Sequence, residues 1–118
     1  MSVERTVVRT PVAHVVDRVA RFVEDHYADG ISLRDVASAM SYTPAHLTYL
    51  FRRVTGKPLN AWIIEYRIRE ARKLLDSTNI PIGEICDAVG FGDLCYFSRQ
   101  FQRHIGTTPK RYRTKERP

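Results

Sequence analysis

The sequence contains one pattern twice, about fifty residues apart, and this repeat limits what the chain can fold into. Before a short turn, the matching residues are offset by 49 positions: Ile31, Val36, Met40 and Tyr42 correspond to Ile80, Ile85, Val89 and Phe91. After the turn the offset is 50: Leu47, Phe51 and Gly56 correspond to Phe97, Phe101 and Gly106. Each copy reads as a short helix, a tight turn and a longer helix, which is the order of a helix-turn-helix motif.

Start and stop signals for helices surround the first copy, and no sustained alternation predicts a strand. Apolar residues at helical spacing predict a first helix over about 14–28, ended by the Asp29-Gly30 pair. The Ser-x-x-Asp pattern at 32–35 predicts a capped second helix. Thr43 before Pro44 predicts the start of the third helix, and Gly56 predicts its end.

A long helix over about 59–76 follows, and then the second copy. Asp93 is expected to cap the longer helix of that copy, and Gly106 is expected to end it. Pro109 is expected to open a last short turn. We predict an N-terminal extension at 1–13, a first helix-turn-helix subdomain at 14–57, a linker helix at 58–77, a second subdomain at 78–113 and a basic tail at 114–118. The stretch from Lys110 to the C-terminus is expected to be frayed.

Helical periodicity also predicts which side chains are buried. The expected core positions of the third helix, the linker and the helix after Asp93 are Leu47, Leu50, Phe51, Val54, Leu59, Ile63, Tyr66, Ala71, Leu74, Leu75, Leu94, Phe97, Phe101 and Ile105. Trp62 and Cys86 are also expected to be packing residues. The linker is expected to carry a basic surface formed by Arg67, Arg69, Arg72 and Lys73.

The positive charge of the chain is concentrated in its second half. The net charge is +6; residues 52–118 carry fourteen basic and seven acidic side chains, whereas residues 1–51 carry five and six. Nucleic acid is the first partner that this asymmetry suggests, an anionic membrane is the second, and a basic protein without a polyanionic partner is the plain alternative.

Several other classes of protein find no support in the sequence. There is no apolar run of about 18 residues and no visible secretory signal, so we expect a cytoplasmic protein that does not span a membrane. Two cysteines do not make a disulfide framework. The histidines and cysteines lack metal-ligand spacing, and no catalytic set stands out. We therefore predict no metal, no cofactor and no catalytic residue.

The exposed face of the longer helix in each copy is the candidate DNA-reading surface. Stepping 100° per residue from Leu47 and from Phe97 gives two sets opposite the core: Ala45, Thr48, Tyr49 and Arg52, and Cys95, Ser98, Arg99 and Gln102. Arg99 can donate to O6 and N7 of a guanine, while Arg52 and Gln102 suit phosphates. Arg53 and Arg103 are backbone contacts or solvated, and an ordinary solvated helix face is the alternative for both sets.

The linker length predicts how two such helices would meet DNA. Eighteen helical residues span about 27 Å, and successive major-groove faces lie about 34 Å apart on one side of the duplex. A monomer would then read an asymmetric, two-part site in double-stranded DNA, with bending toward the protein if the linker is short.

The chain resembles the AraC/XylS family of bacterial transcription regulators over about Val15 to Arg113. The resemblance lies in "RIREARKLL", "IGEICDAVGF", "YFSRQFQRHIG" and "TPKRYR", and in "LRDVASAM" and "LTYLFRRVTGKPL" of the first copy. It implies an all-α, homeodomain-like fold of about seven helices, and promoter binding with activation through RNA polymerase. Carried over by position, the base-reading set is Ala45, Thr48, Tyr49, Leu94, Cys95, Ser98 and Arg99. The backbone set that we predict beside it is Thr43, Arg52, Arg53, Gln102, Arg103, Lys110 and Arg111.

The chain departs from the family pattern at three points. Cys86 stands where alanine is usual, and Ala45 and Cys95 are poor hydrogen-bonding residues at reading positions. Most members also carry an N-terminal effector or dimerisation domain, for which the residues before the first helix are too few. The chain is thus either a short member or the DNA-binding part of a longer regulator that dimerises through another domain.

Two other functions stay open at this point. The first is a DNA-targeting module of a repair enzyme, and the second is a helical module whose basic faces bind acidic proteins. Cys95, near the start of a helix, also leaves a redox-sensing role open.

Overall fold

A computed structural model describes residues 11–116, with side chains for residues 14–115, and it is all-α within that range. The predicted N-terminal extension lies mostly outside the described residues. Seven α-helices and no strand are present between residues 11 and 116. The helices are α1 Pro11–His26, α2 Leu33–Ala39, α3 Pro44–Thr55, α4 Leu59–Ser77, α5 Ile82–Ala88, α6 Leu94–Ile105 and α7 Pro109–Arg111. A 3₁₀ turn at Tyr27–Asp29 follows α1, and a π turn at Tyr112–Glu116 follows α7.

The chain divides into two compact units. The N-terminal unit contains the residues up to Asp25 together with Ser32–Trp62, and the C-terminal unit contains His26–Ile31 and the residues from Ile63 onward. The boundary falls inside α4. Each unit contains one helix-turn-helix pair, α2 and α3 in the first and α5 and α6 in the second, and the two helices of each pair contact each other.

The predicted caps form, because each supplies an acceptor for backbone N–H groups that have no partner within the helix. At the start of α2, the backbone N–H of Asp35 donates to Ser32 Oγ at 3.2 Å, and the backbone N–H of Ser32 donates to Asp35 Oδ2 at 2.8 Å. The hydrogen bonds that the backbone N–H and the hydroxyl of Ser32 donate to Asp35 Oδ2 lower the pKa of the Asp35 carboxyl. Glycines with positive φ stand at the ends of α3 and α6, at Gly56 (φ 81°) and Gly106 (φ 99°).

The sequence repeat is also a repeat of burial. Residues 31–40 and 80–89 show the same order of buried, half-buried and exposed side chains, and so do 47–60 and 97–110. The likeness continues into the helix that follows each motif. Trp62 packs edge-on against Phe51 with ring centroids 5.6 Å apart, and Tyr112 packs edge-on against Phe101 at 5.8 Å. Each unit therefore contains a helix-turn-helix closed by an aromatic side chain from the segment that follows it.

The core of the C-terminal unit includes residues that periodicity did not select. Ile68 and Tyr112 are buried there beside the expected Phe97 and Phe101. Cys86 is buried as predicted, and burial raises the pKa of its thiol. The predicted basic surface of the linker is wrong at Arg67, which is only 9% exposed. The reason is that two backbone carbonyls lie within hydrogen-bonding distance of its guanidinium.

Three further expectations are corrected. Val54, predicted to be in the core, is 45% exposed, and Leu94 is 49% exposed. The expected fraying from Lys110 onward is also wrong where the chain is described. Tyr112 is buried there, and Arg113 donates to the carbonyls of Ile80 at 2.6 Å and Thr78 at 3.2 Å. A short aromatic and cationic segment thus becomes part of the C-terminal unit, because its side chains find core and backbone partners.

The turn of each motif needs a left-handed residue, and the two copies supply it differently. Gly90 has φ 93°, and at the matching position the first copy has Ser41 with φ 65°. A residue with a Cβ atom is strained by about 1–2 kcal/mol in this region, whereas glycine is not.

We expect Ser41→Gly to stabilise the N-terminal unit by about 0.5–1 kcal/mol, because relief of this strain exceeds the added flexibility of the unfolded chain. Urea unfolding measures the effect. The control is Ser38→Gly in α2, which should lose about 0.5–1 kcal/mol because glycine disfavours a helix. Equal destabilisation by the two changes would show that Ser41 is not strained.

Candidate nucleic-acid interface

Helix α3 presents the first half of the base-reading set. Thr43 caps it by accepting a hydrogen bond from the backbone N–H of His46 at 3.2 Å. Leu47 and Phe51 are fully buried, so the opposite face is turned to solvent. The candidates that share this outer face are Ala45, which is exposed, Thr48, which is half-buried, and Tyr49, which is 55% exposed. Their i, i+3, i+4 spacing makes them neighbours on the helix.

Helix α6 presents the second half in the same way. Asp93 Oδ1 accepts from the backbone N–H of Tyr96 at 2.9 Å, and Phe97 and Phe101 fill the core. The side chains on or beside the outer face are Leu94, Cys95 and Arg99, all exposed, and Ser98, half-buried. The family resemblance selected Leu94 for this surface, whereas the helical wheel placed it in the core. Leu94 is the first residue of α6 and is 49% exposed, because the neighbouring segments cover only the later turns of that helix.

All residues of the backbone set are exposed, and some of their side chains have partners within the protein. The set is Thr43, Arg52, Arg53, Gln102, Arg103, Lys110 and Arg111. The hydroxyl oxygen of Thr43 is used as a helix cap. Arg53 Nη1 donates to the hydroxyl of Tyr49 at 3.2 Å, and its guanidinium lies 5.8 Å from the centroid of the Tyr49 ring. A predicted backbone residue and a predicted base reader thus form a pair on α3.

The electrostatics of α3 and α6 differ from those of the helices before them. Neither α3 (PAHLTYLFRRVT) nor α6 (LCYFSRQFQRHI) contains an aspartate or glutamate, whereas α2 carries Asp35 and α5 carries Glu84 and Asp87. Each also carries basic residues in its last turn. Carboxylates would repel a polyanion at close range, so their absence from both helices makes these surfaces suitable for DNA, and the nearest one in sequence, Asp93, is used as the cap of α6.

The cations of α4 are engaged within the C-terminal unit. Arg72 Nε donates to the hydroxyl of Tyr112 at 3.1 Å, and this hydroxyl donates to Asp76 Oδ1 at 2.6 Å. The hydrogen bond with Tyr112 raises the pKa of Arg72. Lys73 pairs with Glu70 at 2.9 Å. Two cations of the linker therefore have partners within the C-terminal unit, while the Lys73 side chain stays 67% exposed.

Sequence reasoning missed one contact of a site residue. The guanidinium of Arg99 lies 5.9 Å from the centroid of the Tyr96 ring, within the usual range of a cation–π interaction. Their i, i+3 spacing was the available signal. Tyr96 was not among the candidates because it lies at the edge between the buried and exposed faces.

Other chemistry has little to build on in the residues that the structure describes. Cys86 is a buried free thiol and Cys95 an exposed one. No group of three His, Cys, Asp or Glu side chains arranged for a metal ion occurs among them. None of the helices within residues 11–116 has the length and apolar character needed to cross a membrane.

Comparisons with solved structures show the same fold. The C-terminal domain of AraT, a response regulator from Geobacillus stearothermophilus, superposes with a TM-score of 0.85 and 26% identity, over 92% of this chain and 91% of that one. The DNA-binding domain of AdpA, a global transcriptional factor solved in complex with a target DNA, gives a TM-score of 0.77 and 25% identity, over 90% and 92% of the two chains.

Sequence comparisons identify the family. The arabinose operon regulatory protein of Escherichia coli is 34% identical over 104 residues, which are 87% of this chain and 36% of that protein. The chain thus spans about a third of that relative's length. The helix-turn-helix domain family matches residues 36–115, which is more than half of the chain and extends from within α2 through the whole second motif. The protein accordingly belongs to the AraC/XylS family of transcription regulators, and this chain contains the helix-turn-helix domain of that family.

Proposed function

We propose that the chain binds double-stranded DNA at promoters in a sequence-specific manner and thereby regulates transcription. The observation that carries this proposal is the pair of outer faces on α3 and α6. Both are capped at the N-terminus, backed by buried aromatic or leucine side chains, free of carboxylates and followed by arginines. Polar and apolar groups of these sizes suit the edges of bases in a major groove.

We propose a different role in DNA binding for each of the two residue sets. The base-reading set contacts base edges, with Arg99 donating to a guanine and Thr48 and Ser98 acting as small hydrogen-bonding groups. The backbone set neutralises phosphates and fixes the register of the protein on the duplex. Because Ala45 and Cys95 are poor hydrogen-bonding residues, shape and contact with thymine methyl groups contribute more at their positions.

The two recognition helices are proposed to enter adjacent major-groove segments of one duplex. The support is the unbroken α4 of 19 residues, about 28 Å long at 1.5 Å per residue, with one motif on each side of it along the sequence. One chain would then contact a two-part site without a partner subunit. Dimerisation of a longer regulator and contact with RNA polymerase are parts of the proposal that derive from the family alone.

We further propose that this chain has no catalytic activity of its own. The support is that relatives such as the arabinose operon regulatory protein are regulators, although one more distant relative, AdaA of Bacillus subtilis, is a bifunctional transcriptional activator and DNA repair enzyme. Repair of a damaged base by the 118-residue chain alone would contradict this part of the proposal and leave DNA binding intact.

Footprinting on a sequence selected from random DNA tests the main proposal. We expect two protected patches about one helical turn apart, because two recognition helices lie on one chain. The affinity should fall steeply with salt, with a log–log slope of about −0.9 per neutralised phosphate. A single patch would refute two-groove reading. No protection, with capture of an acidic protein instead, would favour the interaction module over DNA binding.

A further inference from the structure

Alternating cationic and aromatic side chains run from the interior of the C-terminal unit to the outer face of α6. The guanidinium of Arg67 lies 5.9 Å from the centroid of the Phe91 ring. The rings of Phe91 and Tyr96 are 5.9 Å apart at 60° to each other. The guanidinium of Arg99 lies 5.9 Å from the Tyr96 centroid. We name this series, Arg67–Phe91–Tyr96–Arg99, the cation–aromatic ladder.

The inner end of the ladder is fixed by buried polar contacts. Arg67 Nε donates to the backbone oxygen of Tyr27 at 3.1 Å, and Nη2 donates to the backbone oxygen of Ile31 at 3.0 Å. Burial lowers the pKa of this guanidinium. Phe91 also packs against the fully buried Phe97, with centroids 5.1 Å apart. The first two members therefore form a firm support for the ring of Tyr96.

The outer end is an exposed arginine that needs such a support. A bidentate contact with a guanine requires one orientation of the guanidinium plane, and a free arginine side chain samples many orientations that binding would have to restrict. The face of the Tyr96 ring attracts the cation electrostatically and limits these orientations before DNA arrives.

The first motif has the same aromatic pair but no arginine at the position of Arg99. Tyr42 and His46, at the positions of Phe91 and Tyr96, have ring centroids 5.3 Å apart. The residue at the position of Arg99 is Tyr49, which is partnered by Arg53. The turn-to-helix aromatic pair thus belongs to the shared architecture, and its use as a support for a base-reading arginine is specific to the second motif.

We infer that Tyr96 is a positioning residue for DNA recognition: it holds Arg99 in the orientation that reads a base and so sharpens specificity without touching DNA. This inference rests on the proposed function, because it assumes that Arg99 contacts a base. It adds a specificity-determining residue that lies outside the base-reading and backbone sets.

The contact itself is tested on the free protein by NMR. The side-chain protons of Arg99 should be shifted upfield by the ring current in the wild type and in Tyr96→Phe, and should lose that shift in Tyr96→Leu. Shifts that are the same in all three proteins would overturn the inference, whether or not the chain binds DNA.

A double-mutant cycle on DNA tests the consequence. We expect Tyr96→Leu to lower the preference for the favoured base pair at the Arg99 position about 3- to 5-fold, and Tyr96→Phe to restore it. Nonspecific affinity should change little. In an Arg99→Ala background, Tyr96→Leu should have no further effect on preference.

The possible results distinguish failure of the positioning role of Tyr96 from failure of the proposed DNA reading by Arg99. No sequence preference in the wild type, or an unchanged preference in Arg99→Ala, would refute the reading role of Arg99 and this inference with it. Intact reading by Arg99 that Tyr96→Leu does not weaken, or weakens equally without Arg99, would overturn the positioning role alone. Urea unfolding of each variant excludes loss of the fold as the cause of a change.

Discussion

Gly90→Ala is expected to lower the free energy of unfolding of the C-terminal unit by about 2–5 kcal/mol. Gly90 has φ 93°, where an alanine costs about 1–2 kcal/mol. A Cβ atom would also overlap the backbone oxygen of Tyr27 and approach Arg67 Nε to 3.1 Å, which adds about 1–3 kcal/mol of overpacking. The same atoms form the hydrogen bond that holds Arg67. Urea unfolding followed by circular dichroism measures the loss.

Gly92→Ala is the matched control. Gly92 stands two residues away with φ 74°, but nothing lies within 4 Å of the place where its Cβ would be. Only the backbone strain of about 1–2 kcal/mol should appear. If the two substitutions cost the same, the close approach of Tyr27 to the turn would be wrong.

Arg99→Ala is expected to weaken binding to the favoured DNA site by about 1–3 kcal/mol, which is roughly 5- to 150-fold in Kd. The loss should be confined to one base pair, because a bidentate arginine distinguishes guanine from the other bases. Fluorescence anisotropy titrations against four duplexes that differ only at that pair measure the effect. In the variant, the four affinities should converge.

Arg103→Ala is the control for charge. Arg103 is also exposed on α6 but lies one turn further along the helix. Its loss should weaken all four duplexes equally and reduce the salt slope by about one phosphate equivalent. Uniform weakening by Arg99→Ala as well would make Arg99 a phosphate contact.

Local signals account for the parts of the fold that were predicted well. The caps at Ser32, Thr43 and Asp93 and the glycines at 56 and 106 act within one turn of helix, so neighbouring residues alone determine them. The repeat added long-range information, because two copies with the same apolar spacing had to bury the same positions. The matched order of burial in the two copies follows from that.

The errors occur where a distant contact decides. Arg67 reads as a surface cation on α4, and only the carbonyls of Tyr27 and Ile31, at least 36 residues away in sequence, make it a buried one. Tyr112 lies in a stretch that is rich in lysine and arginine and looks disordered, yet Phe101 and Asp76 give it partners. Val54 fits the apolar period, but the described residues around the last turn of α3 leave it 45% exposed.

In the candidate site, too, local spacing predicted some residues correctly, whereas contacts between side chains could not be predicted from the sequence. Helical spacing alone identified Thr48, Tyr49, Ser98 and Arg99, because an outer face is a property of one helix. Leu94 came from the family resemblance, since a wheel treats the first helical residue like any other. The pairing of Tyr96 with Arg99 depends on side-chain rotamers, which a sequence does not display.

The chain has a single tryptophan, and its contact with Phe51 places this natural fluorophore in the N-terminal unit. Emission excited at the red edge of indole absorption would therefore report the melting of that unit alone. The six tyrosines are divided between the units, with Tyr42 and Tyr49 in the N-terminal unit and the other four in the C-terminal unit, so near-ultraviolet signals from the phenol rings would follow both units. A tyrosine transition that differs from the tryptophan transition would thus reveal separate melting of the two units, without a label and without altering a residue.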